Sequence, residues 1–188
     1  MKHSIYPDDY VSSTYDIDFA ALAKQGYEGV IFDVDNTLVP HGAPADDRAV
    51  ELFQWLHNLG YRVVLLSNNK EPRVKSFCEK VKFATYIYKA NKPSPKNYRL
   101  AMENMNTTVA NTIFVGDQIF TDIWGANRAG IRSVMVKPVE KWHEEIQIVL
   151  KRFIEALVLI PYPLYVKNGN GNKVPLIDKN KSQKDGEA

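Results

Sequence analysis

Between residues 29 and 136, five apolar runs of strand length (29–34, 61–66, 84–88, 112–116 and 131–136) alternate with stretches of helical spacing at 45–59, 71–82, 95–106 and 121–129. A strand that passes through a helix to a second, parallel strand closes by a right-handed crossover. Repeating that unit gives a parallel sheet covered by helices on both faces. The sequence therefore predicts an α/β fold with a five-stranded parallel sheet. Ligands of such sheets sit beyond the carboxyl ends of the strands. Asp33, Ser67 and Asp117 all fall at that end of their runs.

The first 28 residues read as an N-terminal arm with a short helix at 16–25. Residues 141–160 carry Trp142, Ile146, Val149, Leu150, Phe153, Ile154 and Leu157 and read as a final helix packed on the sheet, with a membrane or partner contact as the alternative. Glu144, Glu145, Lys151, Arg152 and Glu155 would be costly in lipid, which argues against a transmembrane helix there. A chain of 188 residues suffices for one core. The expectation is a single domain over 1–166, followed by a polar, flexible tail over 167–188. Cys78 is the only cysteine, so no internal disulfide can form. The first residues lack the apolar stretch of a secretory signal, and the expected location is cytoplasmic.

Chemistry concentrates at the strand ends. Asp33 and Asp35 follow Val30, Ile31 and Phe32 directly, and two carboxylates so close repel unless a cation or a shared proton intervenes. Mg²⁺, a hard cation that takes oxygen ligands and keeps room for a phosphate, suits such a pair. Hydrolysis of a phosphate ester needs a nucleophile, an acid for the leaving oxygen, and cations for the developing charge. Asp33 can supply the nucleophile and Asp35 the acid and base. Asn36 and Thr37 continue into a turn whose N–H groups could face phosphate oxygens. Ser67 offers a hydroxyl, with Asn68 behind it, and Lys92 in Asn-Lys-Pro-Ser-Pro offers the cation. Asp117 and Asp122 add carboxylates at another strand end; Asp122 could bind metal through water, orient Lys92, or cap the next helix. His41 and His57 read as structural or surface residues.

The order Asp-x-Asp-x-Thr, strand-end Ser, Lys and Gly-Asp-x-x-x-x-Asp resembles the haloacid dehalogenase (HAD) superfamily over residues 27–137. That resemblance implies a Rossmann-like core, an aspartyl-phosphate intermediate and Mg²⁺ dependence. It implies Asp33 as nucleophile, Asp35 as general acid/base, Ser67 and Lys92 as phosphate and charge clamps, and Asp117 as metal ligand supported by Asp122. All four aspartates are candidates for the metal set. Pro7-Asp-Asp-Tyr-Val, the Asp16-Ile-Asp arm and Gly116-Asp-Gln-Ile-Phe-Thr-Asp-Ile-Trp-Gly-Ala-Asn are similar to YqeG-type phosphatases of subfamily IIIA, which are related to phosphatidylglycerophosphate phosphatases.

The gaps from Asp35 to Ser67 and from Ser67 to Lys92 hold one helix and one strand each, leaving no room for a large cap domain. An open site favours a bulky phosphate (a lipid headgroup, a nucleic-acid end or a phosphoprotein) or closure by a second copy in a homo-oligomer. Charge is polarised along the chain. Residues 1–69 carry four basic and ten acidic side chains, whereas 70–99 carry nine basic residues against Glu71 and Glu79. The basic segment 70–99 suits a peripheral membrane or RNA contact. The alternative to an enzyme is therefore a non-catalytic assembly factor that keeps the Mg²⁺ site and acts through this segment.

Overall fold

The computed structural model describes residues 5–140, 154–168, 171 and 174–177. Its elements run β1 (Asp9–Val11), a 3₁₀ turn (Thr14–Asp16), α1 (Phe19–Lys24), β2 (Gly29–Phe32), α2 (Asp47–Asn58), β3 (Arg62–Leu66), α3 (Glu71–Val81) and β4 (Thr85–Ile87). They continue with α4 (Lys96–Met105), β5 (Thr112–Gly116), a π turn (Ile119–Ile123), α5 (Trp124–Ala129) and β6 (Arg132–Val136). A helical stretch at 154–159 and a short helix at Tyr162–Lys167 come last among the described residues.

The strands form one sheet in the order β1-β6-β5-β2-β3-β4, every pair parallel. Period-two alternation sends Val30, Phe32, Val63, Leu65, Ile113 and Val115 to a core shared with α1, α2 and α3. Ile31, Val64, Leu66 and Phe114 face the opposite layer, where Tyr98, Ala101, Met102 and Met105 of α4 meet Ala126 and Ala129 of α5. Burial on both faces explains why these strands read as continuous apolar runs. Helix α2 buries Ala49, Leu52, Phe53 and Leu56 at one-turn spacing. Its N-cap, Asp46, accepts the Ala49 N–H at 2.8 Å.

The sheet has six strands rather than five. β1 lies in the segment expected to be an arm, because Asp-Tyr-Val is too short and too acidic at its start to stand out as an apolar run. It becomes a strand by pairing with β6, where the buried Asp9 carboxylate meets the Arg132 guanidinium at 2.8 Å. Residues 174–177 lie against the arm. Val174 donates its N–H to Asp9 Oδ1 at 2.8 Å, Leu176 pairs antiparallel with Ile17, and the Ile177 N–H reaches the Asp16 carbonyl.

Most of the expected 141–160 helix, residues 141–153, lies outside the described residues. In the part that is described, Val158 and Leu159 pack on Ile119, Ile123 and Met135, while Leu157 and Ile160 face outward. Among the described residues no helix is long and apolar enough to cross a membrane.

The chain runs from β2 to β3 and β4 on one side and returns to β5 and β6 on the other, so the strand order reverses at β2. No domain is inserted between a strand and its following helix in 29–136. Among the described residues no element covers the crevice beyond β2, β3 and β5, where a sheet of this kind binds ligands.

Candidate active site

Three strand ends build the crevice. β2 delivers Asp33, whose N–H bonds the Val115 carbonyl at 3.0 Å and so registers the turn against β5. β3 delivers Ser67, fixed by its N–H to the Ile87 carbonyl. β5 delivers Gly116 and Asp117. A Cβ on Gly116 would lie 2.7 Å from the Asp122 carboxylate, so only glycine lets Asp122 fold back against the end of β5. The resulting cleft of about 210 Å³ is lined by Asp33, Asp35, Asn36, His41, Ser67 and Lys92, with Asn68, Asn69, Gln118 and Thr121 around them.

At its floor, Lys92 Nζ donates to Asp33 Oδ1 and to Asp122 Oδ1, both at 2.6 Å. All three side chains are nearly sealed from water. Burial pushes the Asp33 carboxyl up to about 7; Lys92 opposes the shift, and the Asp122 and Asp35 charges add to it. Burial by itself would lower the Lys92 ammonium, but the Asp122 and Asp33 carboxylates outweigh it and hold its pKa raised.

Asp117, fully buried, accepts the Thr37 hydroxyl at 3.2 Å. Carboxylate oxygens of Asp33, Asp117 and Asp122 all lie within 4.8 Å of one another. Among the described residues these three buried carboxylates gather at one ammonium, and a divalent cation with oxygen ligands suits such a donor set. The donor set therefore fits Mg²⁺, which would also draw the Asp33 pKa down.

The structure brings Asp33, Asp35, Asn36, Ser67, Asn68 and Lys92 to one cleft and sets Asp117 and Asp122 beneath it. It assigns several of them tasks the sequence did not specify. Asp35 stands apart from the carboxylate trio: Oδ1 accepts the Gly42 N–H and Arg73 Nη2, each at 2.8 Å, and Oδ2 accepts the Asn69 side-chain amide. Asn36 is left-handed, with φ of 61°, a conformation asparagine tolerates. The Asn36 N–H bonds the Val39 carbonyl and the Thr37 N–H bonds the Val34 carbonyl, so both expected phosphate donors are engaged within the turn. Thr37 instead braces Asp33 and Asp117 through its hydroxyl.

Asn68 clasps the loop that carries Lys92, accepting the Lys92 N–H at 2.8 Å. Of the three roles open to Asp122, the geometry displays one, the orienting of Lys92; its Oδ2 also accepts the Gln118 N–H, but neither the π turn nor α5 has a side-chain cap. His41 lines the cleft, whereas His57 stacks on Phe83 away from it. Sequence reasoning missed Asn69 and Arg73; their spacing of one helical turn at the start of α3 was the available signal.

Fold and site together define a HAD-type hydrolase, and residues 42–130 match the haloacid dehalogenase-like hydrolase family. The chain belongs to that family. It is 37% identical over 140 residues to the probable phosphatase YqeG of Bacillus subtilis strain 168, a match covering 74% of this chain and 81% of the relative. It is 25% identical over 174 residues to phosphatidylglycerophosphate phosphatase 1 (chloroplastic/mitochondrial) of Arabidopsis thaliana, covering 84% of this chain and 48% of that protein. The chain thus spans about half the length of the plant relative. Among solved structures, 3-deoxy-D-manno-octulosonate 8-phosphate phosphatase from Moraxella catarrhalis superposes with a TM-score of 0.51 at 13% identity, covering 65% of this chain and 75% of that one. That last likeness is one of fold.

Proposed function

We propose that this protein is a Mg²⁺-dependent phosphomonoesterase that works through an aspartyl phosphate on Asp33. The observation that carries the reading is the buried trio Asp33, Asp117 and Asp122 gathered at the end of the sheet, with Lys92 bonded to two of them. So much buried acidity costs stability unless a cation relieves it, and such a site has use for a strongly charged ligand. Asp33, Asp117 and Asp122 would hold Mg²⁺, which supplies charge neutralisation for the phosphoryl oxygens.

An Asp33 carboxylate oxygen attacks phosphorus while the bond from phosphorus to the ester oxygen breaks, and Asp35 gives that oxygen its proton. Asp35 then takes a proton from water, whose oxygen attacks the phosphorus of the acyl phosphate, freeing inorganic phosphate and restoring Asp33. Lys92 holds Asp33 by one oxygen and offers positive charge at the cleft floor, and the Ser67 hydroxyl lies on the cleft wall to receive a phosphoryl oxygen.

The substrate in this reading is a bulky phosphate ester. Among the described residues no inserted domain closes the crevice, and the similarity to a plant phosphatidylglycerophosphate phosphatase supports a lipid phosphate. Lys70, Lys75, Lys80, Lys82, Lys89, Lys96 and Arg99 are exposed, so the segment 70–99 is free to meet an anionic membrane surface. The test is phosphate release from a panel including phosphatidylglycerophosphate in vesicles, soluble sugar phosphates and a 5′-phosphorylated oligonucleotide, with and without Mg²⁺. Preference for the lipid supports this substrate class; preference for a sugar phosphate removes it.

A further inference from the structure

Asp35 shares the cleft with the other acidic residues, yet its carboxylate is held in another way. Three donors from two loops and a helix hold it: the Gly42 N–H and Arg73 Nη2 on Oδ1, and the Asn69 amide on Oδ2. Asn69 lies just before the N-cap of α3 and Arg73 in its first turn, and both side chains reach Asp35. Arg73 is otherwise poorly matched to its surroundings. Its Nε is buried and has no hydrogen-bond partner among the described residues, and its guanidinium lies over the ring of Phe77. An arginine kept only for structure would have its buried donors met by the protein. Here the met donor goes to Asp35.

The consequence shows in the trio of carboxylates. Although Asp35 is two residues from Asp33, its side chain is not in the group formed by Asp33, Asp117 and Asp122. We infer that Arg73 and Asn69 are positioning residues that hold the Asp35 side chain out of the metal-binding carboxylates and keep it for the leaving oxygen. The inference rests on the acid/base role proposed above for Asp35. Arg73 and Asn69 neither gain nor lose a proton in it; they fix the carboxyl that does. A residue that sets the orientation of a reacting group loses its effect once that group is gone, and this separates positioning from substrate binding.

The test uses the full chain with Mg²⁺ and two aryl esters of similar shape, phenyl phosphate and p-nitrophenyl phosphate, the second of which needs less help from an acid. Arg73→Met lowers kcat/KM for phenyl phosphate by about 10–100-fold, the usual cost of removing a residue that orients a reacting group. The loss on p-nitrophenyl phosphate is smaller, and Arg73→Lys recovers part of it. In the Asp35→Asn background, Arg73→Met adds less than about twofold. Equal losses on both esters, or an undiminished further loss in Asp35→Asn, would overturn the inference.

A second measurement does not depend on turnover. Mn²⁺ titration calorimetry on Asn69→Ala/Arg73→Met shows an affinity change at least about threefold larger when Asp35 is present than in Asp35→Asn, because a released carboxylate can swing toward the trio. Equal changes in the two backgrounds would sink the clamp. Should wild-type protein hydrolyse neither ester, that result counts against the proposed function, and the Mn²⁺ titration alone then decides the clamp.

Discussion

Two buried ion pairs in this molecule use similar residues and end in opposite states. At the sheet edge, Asp9 and Arg132 match one charge to one charge. Arg132 Nε meets Oδ2 at 2.8 Å and Nη2 meets Oδ1 at 3.2 Å, the Val174 N–H takes a further position on Oδ1, and Arg132 Nη1 reaches the Tyr27 hydroxyl. That bidentate arrangement ties the arm, the last strand and residue 174 into one body. At the crevice, the Lys92 ammonium serves two carboxylates, and oxygens of Asp33, Asp117 and Asp122 lie close enough together to hold a metal ion. The first pair is complete without a ligand. The second, with its clustered carboxylates, offers a place for a cation, and that difference separates a scaffold pair from a candidate site.

Predictions follow from trying to make each pair behave like the other, beginning with the largest effect. Asp33→Asn removes the nucleophile and should lower turnover by about 10⁴-fold or more, with the circular dichroism spectrum unchanged. Wild-type-like turnover in that variant would remove Asp33 from the chemistry. Asp35→Asn should reduce kcat/KM by about 10²–10⁴-fold, the range of a lost general acid. Equal rates of phosphorylation and dephosphorylation to those of wild type, measured by rapid quench, would reject its role. Asp9→Asn should destabilise the fold by about 3–5 kcal/mol in urea titration, because the Arg132 charge is left half-buried and unpaired, while kcat/KM stays within about twofold. A large loss of activity there would show that the edge pair is not mere scaffold. Asp46→Ala, which removes the α2 cap, should cost about 1 kcal/mol and leave metal affinity alone.

The central strands were legible because burial on both faces writes itself as unbroken apolar runs, and the helices because Phe53, Leu56, Val74, Phe77 and Tyr98 recur at one-turn spacing. β1 was not legible: its three residues owe their strand state to β6 and to an ion pair 123 residues away in sequence. Asp33, Ser67 and Asp117 stood at the ends of their apolar runs and Lys92 in the loop after the third, and the fold gathers all four at one crevice. What sequence could not give was who touches whom. The nine basic residues of 70–99 look alike in the chain, yet only Arg73 and Lys92 among them are withdrawn from solvent, each onto an aspartate of the crevice. Likewise Asn36 and Thr37 looked like phosphate donors, but their N–H groups close the turn that aims Asp33 and Asp35.

The aspartyl phosphate proposed on Asp33 can be trapped. Wild-type protein turning over a phosphate ester in Mg²⁺ is quenched and reduced with borohydride, which converts an aspartyl phosphate to homoserine, and the modified residue is located by peptide mass spectrometry. The account predicts homoserine at position 33 alone, absent without Mg²⁺ and absent in Asp33→Asn. Turnover with no modified residue, or with the modification at another aspartate, would contradict it.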